Sequence, residues 1–457
     1  MRVTRISLLA ALLCLALAAS ASASATQSLT FEAPRDLEDP AKRAAAFEEL
    51  ESLGVHSLRV IVQWSRVAPA PNAAQKPAFD ATNPAAYNWR QYDPVLAEAK
   101  ARGWPVLVTI SSPVPTWATK YKLDNLTRPD PIAFGDFVTA VGRRYGAQVN
   151  LWSIWNEPNQ PQFLRPQYAN GGKPQSPAMY RKLFQAATRG LERAGQGDDM
   201  VLIAETSPRG HSRVVHPLRF LRGMLCLNGT YKKRSSCGML EADGYAHHAY
   251  TTRQGPFFVP PRRNDVTIGV LSRLTRAINR AAKAKALPGR LPIYLTEFGI
   301  QSVPDDQQGV SLSNQVKYRA IAERIAYENP RVAAFSQYLL TDSDPTGPKE
   351  YGGFESGLRF SGGKPKPSLR AFPLPLAVQR VGRSRVSIWG LVRPAGGVTK
   401  ATVTYRDRGS STYKKLREVT TDSRGYFRFS STYRSGRRWN VAWEGRTSHP
   451  VTAYRKR

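Results

Sequence analysis

Cysteine is scarce in this chain, with three residues in 457, and one of them, Cys14, lies in the first apolar segment. So low a count excludes a disulfide-built scaffold. The other two, Cys226 and Cys237, flank a polar, basic loop. In an oxidising compartment a pair this close in sequence is expected to close a short loop as a disulfide, the alternative being two unrelated thiols. Neither has a second Cys or His at metal-ligand spacing, so zinc is not expected. The six histidines do not cluster with aspartates either. Metal-dependent chemistry is therefore disfavoured, and neither metal nor cofactor is expected. Acidic residues are also few, 34 against 66 Lys and Arg, for a formal charge of +32. That balance favours anionic surfaces such as teichoic or uronic polymers, lipid headgroups or nucleic acid. No nucleic-acid module signature accompanies it, so no nucleic-acid partner is expected.

Long apolar runs are missing beyond the N-terminus, which excludes a transmembrane segment in a mature chain. The N-terminus itself has the form of a secretory leader. Arg2 and Arg5 precede an apolar stretch over 8–19, and Ala23-Ser24-Ala25 supplies small residues for cleavage. An uncleaved anchor is the alternative, but the stretch is short for a span of roughly 20 residues. A leader over residues 1–25 and a secreted, soluble mature protein carrying about +30 are expected.

What is present is a regular alternation. Apolar, strand-like runs fall at 29–33, 57–62, 106–110, 151–155, 201–204, 244–246, 293–296 and 333–340. Helical periodicity falls between them, notably over 132–145, 179–191, 271–278 and 315–327. Asp39-Pro40 reads as the N-cap and first residue of an early helix. The strand runs are continuous, as expected where both faces are covered. No glycine-rich phosphate loop follows the first run, where Phe31-Glu32-Ala33-Pro34 stands, which argues against an open doubly wound sheet. The expected architecture is α/β, a (β/α)8 TIM barrel over 27–375. After residue 374 short alternating segments separated by turns take over, at 386–389, 401–405, 426–429 and 439–443. Residues 376–457 are expected to form a small, basic all-β sandwich, with 19 Lys and Arg against four Asp and Glu.

In such a barrel the strand C-termini line one mouth, where chemistry sits. Glu157 closes the fourth strand in LWSIWNEPN, and Glu297 closes the seventh in LPIYLTEFGI. Strands four and seven face each other, so the two carboxylates can flank one bond. Glycosidic cleavage needs that pairing, one group to protonate the leaving oxygen and one at the anomeric carbon. The acid must hold its proton near neutral pH, which requires burial and a neighbouring anion worth roughly 2.7 kcal/mol together.

Asn156-Glu157-Pro158 and Glu297-Phe298-Gly299 resemble the clan A glycoside hydrolases, retaining (β/α)8 enzymes, and the likeness to cellulase-like family 5 and xylosidase-like family 39 covers roughly 29–372. The resemblance implies Glu157 as acid/base and Glu297 as nucleophile. It implies Asn156 as a partner of the substrate 2-hydroxyl and Arg59 as the arginine beside the nucleophile. His248 and Tyr250 resemble the clan's His-x-Tyr, with the tyrosine on the nucleophile and the histidine near the acid/base. Trp64 and Trp117 are candidate sugar-stacking platforms. The eighth strand departs from the clan, with Tyr338 where many members carry a tryptophan. Residues 352–367, GGFESGLRFSGGKPKP, resemble the late loop of family 39. Glu205, ending the fifth strand, reads as a polar support, His247 as structural, and Asp342 and Asp344 as loop caps. The C-terminal region resembles carboxypeptidase-regulatory or immunoglobulin-like modules and is a candidate binder of an anionic cell-wall polymer.

The expected function is hydrolysis of a β-linked oligo- or polysaccharide by double displacement. A glycan-binding protein without turnover and a transglycosylase using the same two glutamates are the alternatives.

Overall fold

The computed structural model describes residues 24, 26–234, 237–346 and 352–456. The expected leader over 1–25 lies outside them except for Ser24. Eight parallel strands close a barrel in sequence order: β1 (Ser28–Glu32), β2 (Leu58–Gln63), β3 (Val106–Ser111), β4 (Leu151–Ile154), β5 (Met200–Thr206), β6 (Gly244–His248), β7 (Ile293–Glu297) and β8 (Val332–Tyr338). The main helices between and after them are α1 (Arg43–Ser52), α2 (Asp93–Ala101), α3 (Pro131–Tyr145), α4 (Ser176–Arg193), α5 (Pro217–Met224), α6 (Leu271–Lys283), α7 (Leu312–Tyr327) and α8 (Pro367–Ala371). No helix among the described residues is long and apolar enough to cross a membrane.

One early boundary differs from expectation. Asp39 accepts a hydrogen bond from the Ala41 N–H within a turn, and α1 begins only at Arg43 with no side-chain cap. Further along, Asp130 caps α3 by accepting from Ile132 and Ala133, with Pro131 at its first position.

Outward-facing apolar side chains of the strands pack under the helices in one large core. Phe134, Phe137 and Val141 of α3 and Leu183 and Phe184 of α4 are among its buried members. Inside the barrel a separate small cluster of Leu107, Leu202 and Ala246, with Tyr294 against it, forms an apolar floor. Gly244 makes room for that floor, since a Cβ there would lie 2.6 Å from the Tyr294 ring. Above the floor the inward positions turn polar, with Arg59, Thr109, Glu205 and His248 all buried. The ring of strands is unevenly knitted. β1 pairs with β8 at five positions, but with β2 only at Phe31 opposite Leu58.

The chain continues into β9 (Leu376–Arg380), β10 (Arg385–Leu391), β11 (Lys400–Arg406), β12 (Lys414–Thr420), β13 (Tyr426–Thr432), β14 (Arg438–Trp443), β15 (Arg446–Thr447) and β16 (Val451–Thr452). Sheet β13-β10-β9 packs on sheet β12-β11-β14-β15, where β16 also pairs with β14. Val378, Ile388, Val403, Trp439 and Val441 lie in the core between the two sheets. The other face of β9 and β10 offers Ala377, Trp389 and Leu391 to Ile321 of α7.

Below α7 this junction holds a buried charge group. Glu323 accepts from Arg393 at 2.9 Å and from Arg319 at 3.1 Å, and Arg319 also donates to Gln337 on β8. All three charged side chains are nearly inaccessible. Replacing Glu323 by Ala leaves two guanidiniums without their counter-charge. Urea unfolding is expected to show a loss of about 3–5 kcal/mol. A change within the ~0.5 kcal/mol typical of surface substitutions would contradict this.

Candidate active site

The strand ends converge on Arg59. It stands on β2, points inward and is fully buried. Its Nε donates to Glu205 at 3.1 Å and to Thr109 at 3.2 Å. Nη1 donates to Glu32 and, at 3.3 Å, to Glu297. Nη2 donates to Asn156 Oδ1 at 2.7 Å. Burial alone would lower the guanidinium's affinity for its proton, but Glu205, Glu32 and Glu297 more than reverse this. Glu205 answers in kind: burial would raise its carboxyl, yet Arg59 and His248 bring it down to about 2. Glu205 is fully buried between Arg59 and His248.

Glu157 emerges where β4 parts from β5. The two strands pair only from Leu151 to Ser153 on β4. Beyond that, the Tyr180 hydroxyl from α4 bridges the gap, donating to Ile154 O at 3.0 Å and accepting from the Ala204 N–H at 2.6 Å. Trp155, Glu157, Ala204 and Glu205 all take positive φ, from 40° to 89°. Such backbone costs about 1–3 kcal/mol per residue and persists only where surroundings over-determine it. The Glu157 N–H donates to Glu205 O at 3.1 Å, which fixes the turn.

The carboxylates meet on His248, which ends β6 directly beside Glu297 in the β6–β7 register. His248 Nδ1 lies 2.9 Å from Glu157 Oε1 and 3.6 Å from Glu297 Oε2. Their nearest oxygens are therefore no farther apart than those two distances combined. Burial lowers the His248 pKa, but Glu297, Glu157 and Glu205 together push it up to about 10. Burial raises the Glu157 carboxyl above the ordinary range; the His248 bond opposes this and the Glu297 charge reinforces it. Gln160 Nε2 reaches Glu157 Oε2 at 3.2 Å. Tyr250 donates to Glu297 Oε1 at 2.6 Å and stacks on Phe298.

A cavity of about 360 Å³ opens over these groups, lined by Glu32, Asn156, Glu157, Glu297, Tyr338 and Phe354 among others. It leans toward the sparse β1–β2 joint, where Pro34, Leu37, Ile61 and Arg66 line it. Tyr338 meets Phe354 edge-on at 5.1 Å on its wall. Asn156 spends Oδ1 on Arg59, which turns its amide NH2 away from the guanidinium. His247 is held by Thr206 and Val266 O, and burial lowers it to about 4. Asp342 accepts from Gly357 N–H and pairs with the buried Lys366, while Asp344 bonds Arg35. Cys226 and Cys237 form a disulfide.

Two expectations need correction. Trp64 and Trp117 are not stacking platforms: both are buried, pack edge-to-face on each other at 5.6 Å, and Trp64 stacks on Phe137 of α3 at 5.1 Å. Neither lines the cavity. Conversely, Glu32, which no sequence motif marks, belongs to the site. Burial, partly offset by Arg59 and reinforced by Glu297, pushes its carboxyl up to about 8. The available signal was its position, a carboxylate closing β1 as Glu297 closes β7. Among the described residues no group of three or more His, Cys, Asp or Glu has an arrangement that could hold a metal ion.

A closed parallel barrel with two glutamates on facing strands defines the class to compare with. A family 39 glycoside hydrolase from the gut symbiont Bacteroides cellulosilyticus WH2 aligns over 90% of this chain and 80% of its own, at 15% identity and a TM-score of 0.52. A glucosidase from Croceicoccus marinus aligns over 86% of this chain and 90% of its own, at 12% identity and a TM-score of 0.50. At these identities the likeness establishes the fold alone, a closed eight-stranded parallel barrel. No protein-family model and no curated protein matches the sequence.

The His248 cluster has a pH signature. Its folded-state pKa of about 10 lies above the ordinary 6.5. The charged ring therefore contributes stability in full below about pH 6.5, and the contribution is lost as pH rises through about 10. Melting temperature followed from pH 6 to 10.5 is expected to fall more steeply for the wild type than for His248→Gln. Parallel profiles would contradict the assignment.

Proposed function

We propose that this chain is a secreted, retaining glycoside hydrolase that cleaves a β-linked oligo- or polysaccharide. The observation that carries the proposal is the approach of Glu157 and Glu297, which both line an open cavity, to one buried imidazole nitrogen. A retaining pair works at about 5–5.5 Å, whereas an inverting pair needs roughly 6.5–9.5 Å to admit a water. Two carboxylates that share a contact on Nδ1 favour the closer arrangement.

In the first step a Glu297 oxygen attacks the anomeric carbon. The bond to the leaving oxygen breaks, and that oxygen takes the Glu157 proton. The product is a glycosyl ester on Glu297. Burial and the Glu297 charge, both of which raise Glu157, suit it to arrive protonated. Glu157 has given its proton to the leaving oxygen, and with the Glu297 charge removed by the ester it stays ionised and now serves as base. It takes a proton from water, whose oxygen joins the anomeric carbon as the ester bond breaks and Glu297 is restored. Tyr250 and Arg59 hold Glu297 in line for attack. The free NH2 of Asn156, oriented by Arg59, is placed to bond the sugar 2-hydroxyl, an interaction that strengthens in the transition state. Secretion rests on the leader-like N-terminus and agrees with the Cys226–Cys237 disulfide.

Aryl glycosides test the roles separately. Glu157→Ala should lower kcat about 10²–10⁴-fold for poor leaving groups and far less for activated ones. Azide should restore turnover and yield the glycosyl azide of retained configuration. Glu297→Gly with azide should yield the inverted one. Full activity in both variants would refute the assignment.

A further inference from the structure

The C-terminal sandwich sits at the end of the barrel opposite the cavity. Arg424 donates to Ser24 O ahead of β1, and Gln27 contacts the Tyr426 hydroxyl. Arg446 donates to Ser52 O at the end of α1, and a Cβ on Gly54 would strike Arg393 and Pro394. Tyr327, where α7 ends, packs on Trp389 and Tyr426. All these barrel residues precede strands rather than follow them. Sheet β13-β10-β9 faces the barrel, so the outer face of sheet β12-β11-β14 points away from it.

That outer face follows from strand alternation. Ala401, Val403 and Trp439, Val441 are buried inward, leaving Lys400, Thr402, Thr404 and Arg406 on β11 and Arg438, Asn440 and Ala442 on β14 outward. A Thr404–Asn440 hydrogen bond of 2.5 Å confirms the shared face. Arg406 and Arg438 stand directly opposite each other in the β11–β14 register. Like charges so placed oppose sheet formation. Asp407, the nearest acid in sequence, is already taken by Arg437 at 2.6 Å and Arg434 at 3.6 Å. Among the described residues no carboxylate pairs with Arg406, Arg408 or Arg438. These three, with Ser410 and Ser411, line a shallow depression of about 420 Å³. Gly436 lets Arg408 lie across it, since a Cβ there would come within 2.9 Å of that side chain. Lys400 and Lys415 extend the basic stripe along the sheet, sharing one acid, Glu418.

We propose that this face is a binding site for an acidic polymer of sugar or polyol units that carries carboxylate or phosphate groups on successive units. Guanidiniums match both oxyanions in a fork geometry, and a ligand anion between Arg406 and Arg438 relieves their repulsion. Among the described residues every aromatic ring of the sandwich is buried or half-buried, which disfavours base stacking as the mode of binding. The catalytic cavity has the opposite character, with Glu32, Glu38, Glu157 and Glu297 against Arg59 and Arg66. The acidic polymer is therefore a tether at one end of the molecule, and the cavity at the other end stays free.

The test uses the full chain with two probes, polygalacturonate and poly(glycerol phosphate), in binding assays at low and high salt. Saturable binding to at least one is expected, weakening with salt, and the preferred probe identifies carboxylate or phosphate as the source. R406A/R408A/R438A should bind about tenfold more weakly or worse, as expected from losing charge-assisted contacts. K120A/K182A/R189A removes the same charge around a different depression on the barrel and should lose less than about twofold. E157Q/E297Q should bind like the wild type. If the triple arginine variant fails to fold, the single R438Q carries the comparison. Absence of binding to both polymers, equal losses in the two triple variants, loss on changing the glutamates, or preference for DNA over both polymers would each overturn the proposal.

Discussion

One guanidinium organises the mouth of this barrel. Arg59 is a permanent charge with no access to water, and such a group is tolerated only when its donors are met by anions or dipoles. Its partners come from five strands or strand ends: Glu32 after β1's apolar run, Thr109 on β3, Asn156 after β4, Glu205 on β5 and Glu297 on β7. The same contacts that satisfy the arginine fix the rotamers of the residues proposed to bind and attack the sugar. Stability and positioning are thus two consequences of one set of hydrogen bonds. Glu205, buried and held near pKa 2, keeps a charge under His248 as well as under Arg59.

The apolar floor below and the strained turns above serve this arrangement. Leu107, Leu202, Ala246 and Tyr294 shut the barrel interior beneath the charged layer, so the ion pairs sit in a low-dielectric well open only toward the cavity. The positive-φ residues at 155, 157, 204 and 205 mark where β4 and β5 stop pairing and turn their side chains over that well. Tyr180 replaces the missing ladder bonds with one hydroxyl.

Much of this was legible in the sequence because buried parallel strands announce themselves as continuous apolar runs, and the residues that end them are few. Glu157 and Glu297 stood out for that reason. The edge strand β12 did not, because Lys414, Lys415, Arg417 and Glu418 are all exposed and leave no alternation to read. Glu32 belonged to no recognisable motif, and only its proximity to Arg59 reveals its role. Trp64 and Trp117 misled because a tryptophan near a strand end reads alike whether it points into the mouth or outward under a helix. That choice is decided by Phe134 and Phe137 of α3, distant in sequence, whose rings complete the outward cluster.

The joint between β1 and β2, held in register at Phe31 and Leu58 alone, gives the cavity its width. Its walls there are Pro34, Leu37, Ile61 and Arg66, none of which touches the two central glutamates by hydrogen bond or ion pair. Shape on that flank is consequently decoupled from the reacting groups. Descendants of this sequence can remodel what fits beside the sugar ring by altering a few side chains along an unlaced edge, while the charged hub that performs the chemistry stays as it is.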